Sequence, residues 1–276
     1  MDVGGFTGMN IGVIESCYAA GTVRIISDDR DILGGLGGAR EINAGGFAGS
    51  NSAGEIKNSY ALGDIFVDKT AGDATVYAGG IVGNNFNSND TGTIRNCFTV
   101  GRIAAQSKES PVYAGGIAGY HQVFNYSMSN PVQIENNAAL GEKIIAASNA
   151  TNMASRVLGS YLYTTGYKIN NNFAIDAMMT GSSDTGPGAY IDNLDIFNKD
   201  SKAIIDSFPG SIPASNIGLT QVNGQHAAVD DILNPNFWIQ TLLFNRDGED
   251  SGLGSVTNTW NFDGVHGRGY PLLSWE

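Results

Sequence analysis

Three histidines are the side chains of this sequence best suited to hold a metal ion or to move a proton near neutral pH. They are His121, His226 and His266. A zinc protease needs two histidines one helical turn apart with a catalytic glutamate between them, in the pattern His-Glu-x-x-His. Because the three histidines are far apart in the sequence, we expect no catalytic residue and no metal-binding residue in this chain.

Acidic residues are candidates for the paired carboxylates of a glycan-cleaving enzyme. The candidates are Asp28, Asp29, Asp31, Asp64, Asp68 and Asp73. No pair of them recurs at equivalent places along the chain. We therefore interpret them as solvated residues of outward-facing loops rather than as an active site.

Two further segments approach the pattern of a ligand-binding loop and then depart from it. Asn245–Asp250 would suit calcium, but Asp250 and Val256 stand where an EF-hand loop needs Gly and Glu. Gly34–Gly38 is rich in glycine but lacks the Lys-Ser/Thr that follows in a phosphate-binding loop. We therefore predict that Asn245–Asp250 is an acidic turn and that Gly34–Gly38 is a flexible loop. We expect no cofactor, and the sequence identifies no ligand-binding residue.

The composition excludes several classes of protein. The chain has 276 residues, of which 42% are hydrophobic, so it has enough apolar residues to bury a core. The net charge of −12 argues against a nucleic-acid partner. No apolar run approaches the roughly 18 residues of a membrane-spanning helix. Gly counts 38, about twice the usual share, and the two Cys are too few for a disulfide scaffold.

Two sequence blocks alternate along the first two thirds of the chain. The first block, Gly-Gly followed by two residues and Gly, occurs at 4–8, 45–49, 79–83 and 115–119, with a degraded copy at 156–159. The second block, eight residues from Ile to Gly or Asp, occurs at 14–21, 56–63, 94–101, 134–141 and 169–176. The distance from the first Gly to Ile grows through 10, 11, 15 and 19 residues, whereas the second block keeps its length. A constant segment beside a variable one indicates a packed strand beside a surface loop.

The blocks predict short β-strands that stack into a solenoid. They lack helical periodicity, and short runs of β-branched and aromatic residues bounded by Gly and Asn are typical of strands. Stacking places equivalent residues in columns about 4.8 Å apart. The columns are an Ile column (14, 56, 94, 134, 169), a small-residue column (19, 61, 99, 139, 174) and a Ser/Asn column (16, 58, 96, 136, 171). We expect glycines at the corners to adopt positive φ, and stacked Asn amides to bond to one another.

The side of the second block that faces the interior has two alternatives. Strict alternation would bury Ile, Asn, Tyr and Leu. A bend at the Ser/Asn column would instead bury Cys17, Ala19 and Val23. We favour the bend, because small residues suit a narrow interior. Cys17 and Cys97 then lie about 10 Å apart, too far for a disulfide, and we predict two free, buried thiols.

The pattern Gly45-Gly46-Phe47-Ala48-Gly49 followed by Ile56-Lys57-Asn58-Ser59-Tyr60-Ala61-Leu62-Gly63 resembles the GLUG repeat of bacterial surface proteins. These include the N-terminal region of immunoglobulin A1-specific metalloproteases. Residues 45–65 and 79–103 match best, and the resemblance covers about two thirds of the chain. It implies an all-β, right-handed parallel β-helix of about five irregular repeats over residues 1–180.

Residues 181–276 lack the repeat, and we predict a C-terminal capping region. The segment 181–188 is typical of a loop, and short helices are expected over 203–208 and 229–244, the second broken at Asn234-Pro235. All three Trp residues lie here. Their rings are expected to cover the last coil. The alternative is a carbohydrate platform built on Trp238 or Trp260.

The sequence favours a non-catalytic repeat segment of a secreted or cell-surface bacterial protein. We expect an excised or processed piece of a longer chain, a monomer without a membrane span, that binds a host protein such as immunoglobulin or a glycan. One alternative is a substrate-positioning region of an immunoglobulin A1 protease-like enzyme with its catalytic domain elsewhere. The second is a β-helical glycan-cleaving enzyme.

Overall fold

A computed structural model shows the predicted all-β solenoid of parallel sheets. It describes residues 1–28, 41–87, 92–123, 132–163, 167–176, 178–182, 223–244 and 259–276. Within these residues, five parallel sheets each take one strand from every coil. One sheet gains a sixth strand, so the stack departs slightly from five equal repeats. The right-handed sense of the coil stays a prediction.

The first three coils contain five strands each. Coil 1 consists of β1 (Asp2–Gly4), β2 (Thr7–Asn10), β3 (Val13–Glu15), β4 (Tyr18–Ala19) and β5 (Val23–Ser27). Coil 2 consists of β6 (Glu41–Gly45), β7 (Ala48–Ser52), β8 (Glu55–Lys57), β9 (Tyr60–Ala61) and β10 (Ile65–Lys69). Coil 3 consists of β11 (Thr75–Gly79), β12 (Val82–Asn87), β13 (Thr93–Arg95), β14 (Phe98–Thr99) and β15 (Ile103–Ser107).

The last two coils keep the same plan. Coil 4 consists of β16 (Val112–Gly115), β17 (Ala118–Val123), β18 (Val132–Glu135), β19 (Ala138–Ala139) and β20 (Lys143–Ser148). Coil 5 consists of β21 (Asn152–Ser155), β22 (Leu158–Tyr163), β23 (Tyr167–Asn170), β24 (Phe173–Ile175) and β25 (Met179–Ser182).

The predicted columns are confirmed by the strand register. Ile94 pairs with Ile56 on one side and with Ile134 on the other. Thr99 likewise pairs with Ala61 and Ala139. These side chains are buried in one continuous core that runs through all five coils. Burial of equivalent residues in every coil supplies the main driving force for stacking.

A left-handed residue bends the second block in every coil. The φ angles are 55° at Ser16, 49° at Asn58, 53° at Asn96, 56° at Asn136 and 51° at Asn171. Asn tolerates this conformation better than other non-glycine residues. The bend turns the next residue inward, so Cys97 joins the core while Tyr60 points away from it. The bend that we favoured is therefore correct.

The paired glycines serve close packing and not positive φ, which corrects our expectation for the corners. Among the described glycines, only Gly72, Gly224, Gly264 and Gly269 have positive φ. A Cβ atom on Gly80 would lie 2.0 Å from the carbonyl oxygen of Gly116 in the next coil. Glycine is required there because neighbouring backbones approach too closely for any side chain.

Neither Cys17 nor Cys97 forms a disulfide, as predicted. Ser59 takes the equivalent position in the intervening coil, and its hydroxyl oxygen accepts a hydrogen bond from the Cys17 backbone N–H. Cys97 is buried, but Cys17 is only half-buried. The prediction of burial was wrong for Cys17 because coil 1 has a neighbour on one side only.

The described C-terminal residues pack along one side of the solenoid. They form β26 (Gln225–Ala227), α1 (Val229–Ile232), a π-helical turn (Phe237–Thr241), β27 (Trp260–Asn261), α2 (Val265–Arg268) and β28 (Leu272–Leu273). The helical stretch is interrupted at Asn234-Pro235, as predicted, whereas the helix expected over 203–208 lies outside the described residues. No helix in the described parts of the chain is long and apolar enough to cross a membrane.

Aromatic residues join this C-terminal region to the solenoid. Trp260 lies against Tyr60 of coil 2 and Phe98 of coil 3, with ring centroids 6.2 and 5.7 Å apart. Trp238 contacts Phe98 edge-on at 5.5 Å. The aromatics thus cover the side of several coils, so the expected coverage of the last coil alone was incomplete. The domain boundary near residue 180 stays a prediction.

Candidate functional site

The outer surface of the first two sheets carries a cluster of polar and aromatic side chains that we call the tyrosine cluster. Its members are Glu41, Asn43, Tyr77, Asn84, Tyr113 and Tyr120. Val76 and Ala78 are fully buried in the core, so Tyr77 between them points outward. The register pairs Tyr77 with Tyr113 in the next coil, and their ring centroids are 5.7 Å apart.

The third tyrosine comes from the neighbouring sheet. Tyr120 on β17 stacks on Tyr77 with centroids 4.5 Å apart and lies 6.1 Å from Tyr113. Outer side chains of two sheets meet only if the two sheets form an inward angle. Gly79 and Gly119 lie at this corner, where a Cβ on Gly79 would be 2.6 Å from the Gly119 nitrogen. The close glycine backbones therefore allow the angle that brings the tyrosines together.

Two asparagines and two carboxylates lie beside the rings. Asn84 Nδ2 donates a hydrogen bond to Glu41 Oε2 at 3.2 Å, and Asn43 Nδ2 donates one to Asp2 Oδ1 at 2.8 Å. Asn43 and Asn84 are only 6% and 3% exposed. Their Oδ1 atoms accept no hydrogen bond from any residue that the structure describes. Buried acceptors without a donor are uncommon in folded proteins and call for an explanation.

Burial changes the acidity of two of the phenols. It is the main cause that raises the pKa of Tyr77 well above its usual value, with a further contribution from Glu41. Burial also raises the pKa of Tyr120, followed by the effects of Tyr113 and Glu41. Both hydroxyl groups therefore stay protonated at neutral pH and can donate hydrogen bonds.

The sequence-predicted histidines do not come together. Within the described residues, no group of three His, Cys, Asp or Glu could hold a metal ion. His226 Nδ1 lies 2.5 Å from Asp176 Oδ1 and 3.1 Å from Arg156 Nη1 at the end of the stack. His266 is exposed on α2. Each histidine thus has a separate environment.

His121 belongs to an interior ladder of amides. Asn10 Nδ2 donates to Asn51 Oδ1 at 2.8 Å, and Asn51 Nδ2 donates to Asn85 Oδ1 at 2.8 Å. Asn85 Nδ2 then lies 3.1 Å from His121 Nδ1. Burial lowers the pKa of His121 to about 4, although a backbone hydrogen bond with Asn85 opposes the shift. His121 is therefore a neutral part of the core at pH 7.

The acidic candidates are separated and partly engaged in structural contacts. Asp64 Oδ2 lies 2.6 Å from Arg102 Nη2, and Asp68 Oδ1 accepts a hydrogen bond from Gln106 at 3.0 Å. Asp68 lies within β10, which corrects our placement of it in a loop. Asp29, Asp31, the glycine-rich segment 34–38 and the calcium-like segment 245–250 lie outside the described residues.

Burial argues against the alternative of a carbohydrate platform on Trp238 or Trp260. The two residues are 0% and 2% exposed, and the indole N–H of Trp238 donates to the Ile232 carbonyl at 2.9 Å. The tyrosine cluster was missed instead. Its signal was the recurrence of Val-Tyr-Ala-Gly-Gly at 76–80 and 112–116, which places Tyr at an outward strand position in two repeats.

One known protein family matches part of this architecture. The GLUG motif matches residues 41–65, which run from the start of β6 to the first residue of β10 and so span almost all of coil 2. Neither the curated proteins nor the solved structures give a match. The match supports a GLUG-repeat protein, and no relative supports a link to immunoglobulin A1 proteases.

Proposed function

We propose that this chain is a non-catalytic repeat segment of a secreted or cell-surface bacterial protein that binds a host protein or glycan. The observation that carries the proposal is the tyrosine cluster, which lies on the outside of the stack of coils. Solenoids offer long lateral surfaces of this kind for binding. The GLUG motif and the parallel β-solenoid fit a repeat segment of a surface or secreted protein.

The non-catalytic role is supported by the environment of the candidate carboxylates. A glycan-cleaving enzyme needs two carboxyl groups that face one another across the scissile bond. Asp64 instead forms an ion pair with Arg102, and Asp68 holds Gln106. Both contacts join neighbouring coils, as expected for residues that stabilise the stack.

Retention and cleavage measured together would test the proposed function. The full chain would be immobilised and exposed to immunoglobulin A1, neutral oligosaccharides and acidic oligosaccharides, and mass spectrometry would detect any cleavage. We expect reversible binding of at least one probe and no cleavage. Cleavage of any probe would overturn the non-catalytic role. If none of the probes binds, the binding role is overturned.

A further inference from the structure

We propose that the tyrosine cluster is a binding site for a neutral oligosaccharide. This inference rests on the proposed function and specifies the ligand class of the same surface. It follows from the aromatic surface, the unsatisfied acceptors and the sign of the nearby charges.

The three rings form a supported apolar platform. Tyr77 is 8% exposed, whereas Tyr113 and Tyr120 are half-buried and keep part of their surface in solvent. Both outer rings pack against Tyr77, at 5.7 and 4.5 Å. A ring fixed in this way loses little conformational freedom when a ligand packs on it. The C–H faces of a sugar ring suit such a flat, partly apolar surface.

Two of the polar side chains at the site have an acceptor atom without a hydrogen-bond donor in the described parts of the chain. The Oδ1 atoms of Asn43 and Asn84 receive no donor from the described residues, and the carboxylate of Glu41 lies next to Asn84. The two Oδ1 atoms are enclosed in the structure, so a ligand hydroxyl can donate to them only after neighbouring side chains move, whereas the half-buried Glu41 can accept from such a hydroxyl directly. A sugar carries several hydroxyl donors along one edge, so it meets this requirement better than an apolar ligand.

The charges select a neutral sugar. Among the described residues, the charged groups that contact the cluster are the carboxylates of Asp2 and Glu41 and the N-terminal ammonium of Met1, which donates to the Glu41 carbonyl at 2.7 Å. Because there are two carboxylates and one ammonium, the local charge is negative. A sialic or uronic acid would bring a further negative charge close to the two carboxylates and would be repelled. A basic peptide would tolerate the charge, but its guanidinium and ammonium groups can only donate hydrogen bonds, whereas each sugar hydroxyl can donate to the acceptors and also accept from the phenols. The experiment must therefore distinguish binding of a basic peptide from binding of a neutral sugar.

Binding to the full chain would be measured by isothermal titration calorimetry. The probes are neutral oligosaccharides of mannose, galactose, glucose and N-acetylglucosamine, a sialylated oligosaccharide and an arginine-rich peptide. The variants are the double substitution Tyr113→Ala/Tyr120→Ala, the milder Glu41→Gln, and Tyr161→Ala as control. Tyr161 is an exposed tyrosine on β22 that pairs with His121 and not with Tyr120, so its loss removes a similar ring from outside the cluster. Circular dichroism and urea unfolding would check that each variant folds.

We expect at least one neutral probe to bind and the double variant to lose at least about tenfold in affinity, a loss expected when aromatic packing disappears. Glu41→Gln should weaken binding by about threefold, and Tyr161→Ala should leave it unchanged. If the double variant does not fold, the Glu41→Gln result decides.

Three results would overturn the inference. If a neutral sugar binds and neither Tyr113→Ala/Tyr120→Ala nor Glu41→Gln weakens its binding, the site lies elsewhere. The proposed function would then still stand. Binding of only the sialylated probe or only the peptide would refute the ligand class. If the chain binds none of these probes but still binds immunoglobulin A1, the inference alone is refuted. If the chain binds neither these probes nor immunoglobulin A1, the proposed function is refuted as well.

Discussion

The hydroxyl of Tyr60 donates a hydrogen bond to the carboxylate of Glu276, although 216 residues separate the two in sequence. The phenol oxygen is 2.7 Å from Oε1 and 2.8 Å from Oε2. Glu276 Oε2 also accepts a hydrogen bond from the Leu273 backbone N–H at 2.8 Å. This contact ties the C-terminal region to coil 2, on the same face where Trp260 packs.

Tyr60→Phe should therefore destabilise the protein by about 1 kcal/mol, the usual value of a partly exposed hydrogen bond. The ring stacks on Phe98 at 4.7 Å and would be retained, so the loss reports the hydroxyl alone. The measurement is the free energy of unfolding in urea. Tyr18→Phe is the matched control, because Tyr18 occupies the same column one coil away and is 40% exposed. Equal losses for both variants would contradict the assignment.

The left-handed bend allows a second prediction, at Asn96. Asn96→Ala and Asn96→Gly remove the same side-chain contact, a 3.4 Å hydrogen bond from Nδ2 to the Leu243 carbonyl. They differ in how well they tolerate the φ of 53°. We expect the Gly variant to be more stable than the Ala variant by about 1 kcal/mol, because an L side chain is strained in this region.

A control at an ordinary strand position should give the opposite order. Ala105 on β15 is buried and has extended backbone neighbours, and Ala105→Gly should destabilise the protein by about 0.5–1 kcal/mol or more. Urea unfolding of all three variants checks both orders. If Asn96→Ala proves as stable as Asn96→Gly, the bend does not constrain the sequence as we infer.

The columns could be predicted because the second block has a constant length. A constant eight-residue block forces Ile56, Ile94 and Ile134 into register once the coils stack, whatever the loops do. The position of the bend followed from the recurrence of Asn within that block. The role of the paired glycines was harder to predict, since a sequence does not reveal whether Gly80 is needed for its φ angle or for the close approach of the neighbouring backbone.

The site was less accessible to sequence reasoning. Tyr77 and Tyr120 meet only because two sheets form an inward angle, and this angle depends on the cross-section of the coil. The amide ladder had a visible signal, since Asn10, Asn51, Asn85 and His121 each lie six residues after the first Gly of their block. Because we considered His121 only as a metal ligand or a proton carrier, we did not recognise that it takes the place of Asn in this ladder.

The close approach at Gly80 gives a third prediction. Gly80→Ala should destabilise the protein by more than about 2 kcal/mol, because the new methyl group would lie 2.0 Å from the Gly116 carbonyl oxygen and would push the coils apart. Gly12→Ala is the matched control, since a Cβ there meets nothing within 4 Å and φ is not positive. The control should be neutral or slightly stabilising. Thermal and urea unfolding would measure both, and similar behaviour of the two variants would refute the packing role of Gly80.

The buried His121 makes stability depend on pH. Its pKa is lowered to about 4 in the folded protein, below the usual value of 6.5, so the unfolded chain binds a proton more readily than the folded one. Stability is therefore full above pH 6.5 and is lost as the pH falls towards 4. The contribution of this group over that window is about 3 kcal/mol. His121→Asn would continue the amide ladder without a titrating group. Comparison of urea unfolding at pH 7.0, 5.5 and 4.5 should show a shallower loss for the variant than for the natural chain. Parallel curves would mean that other groups, and not His121, control the acid stability of the solenoid.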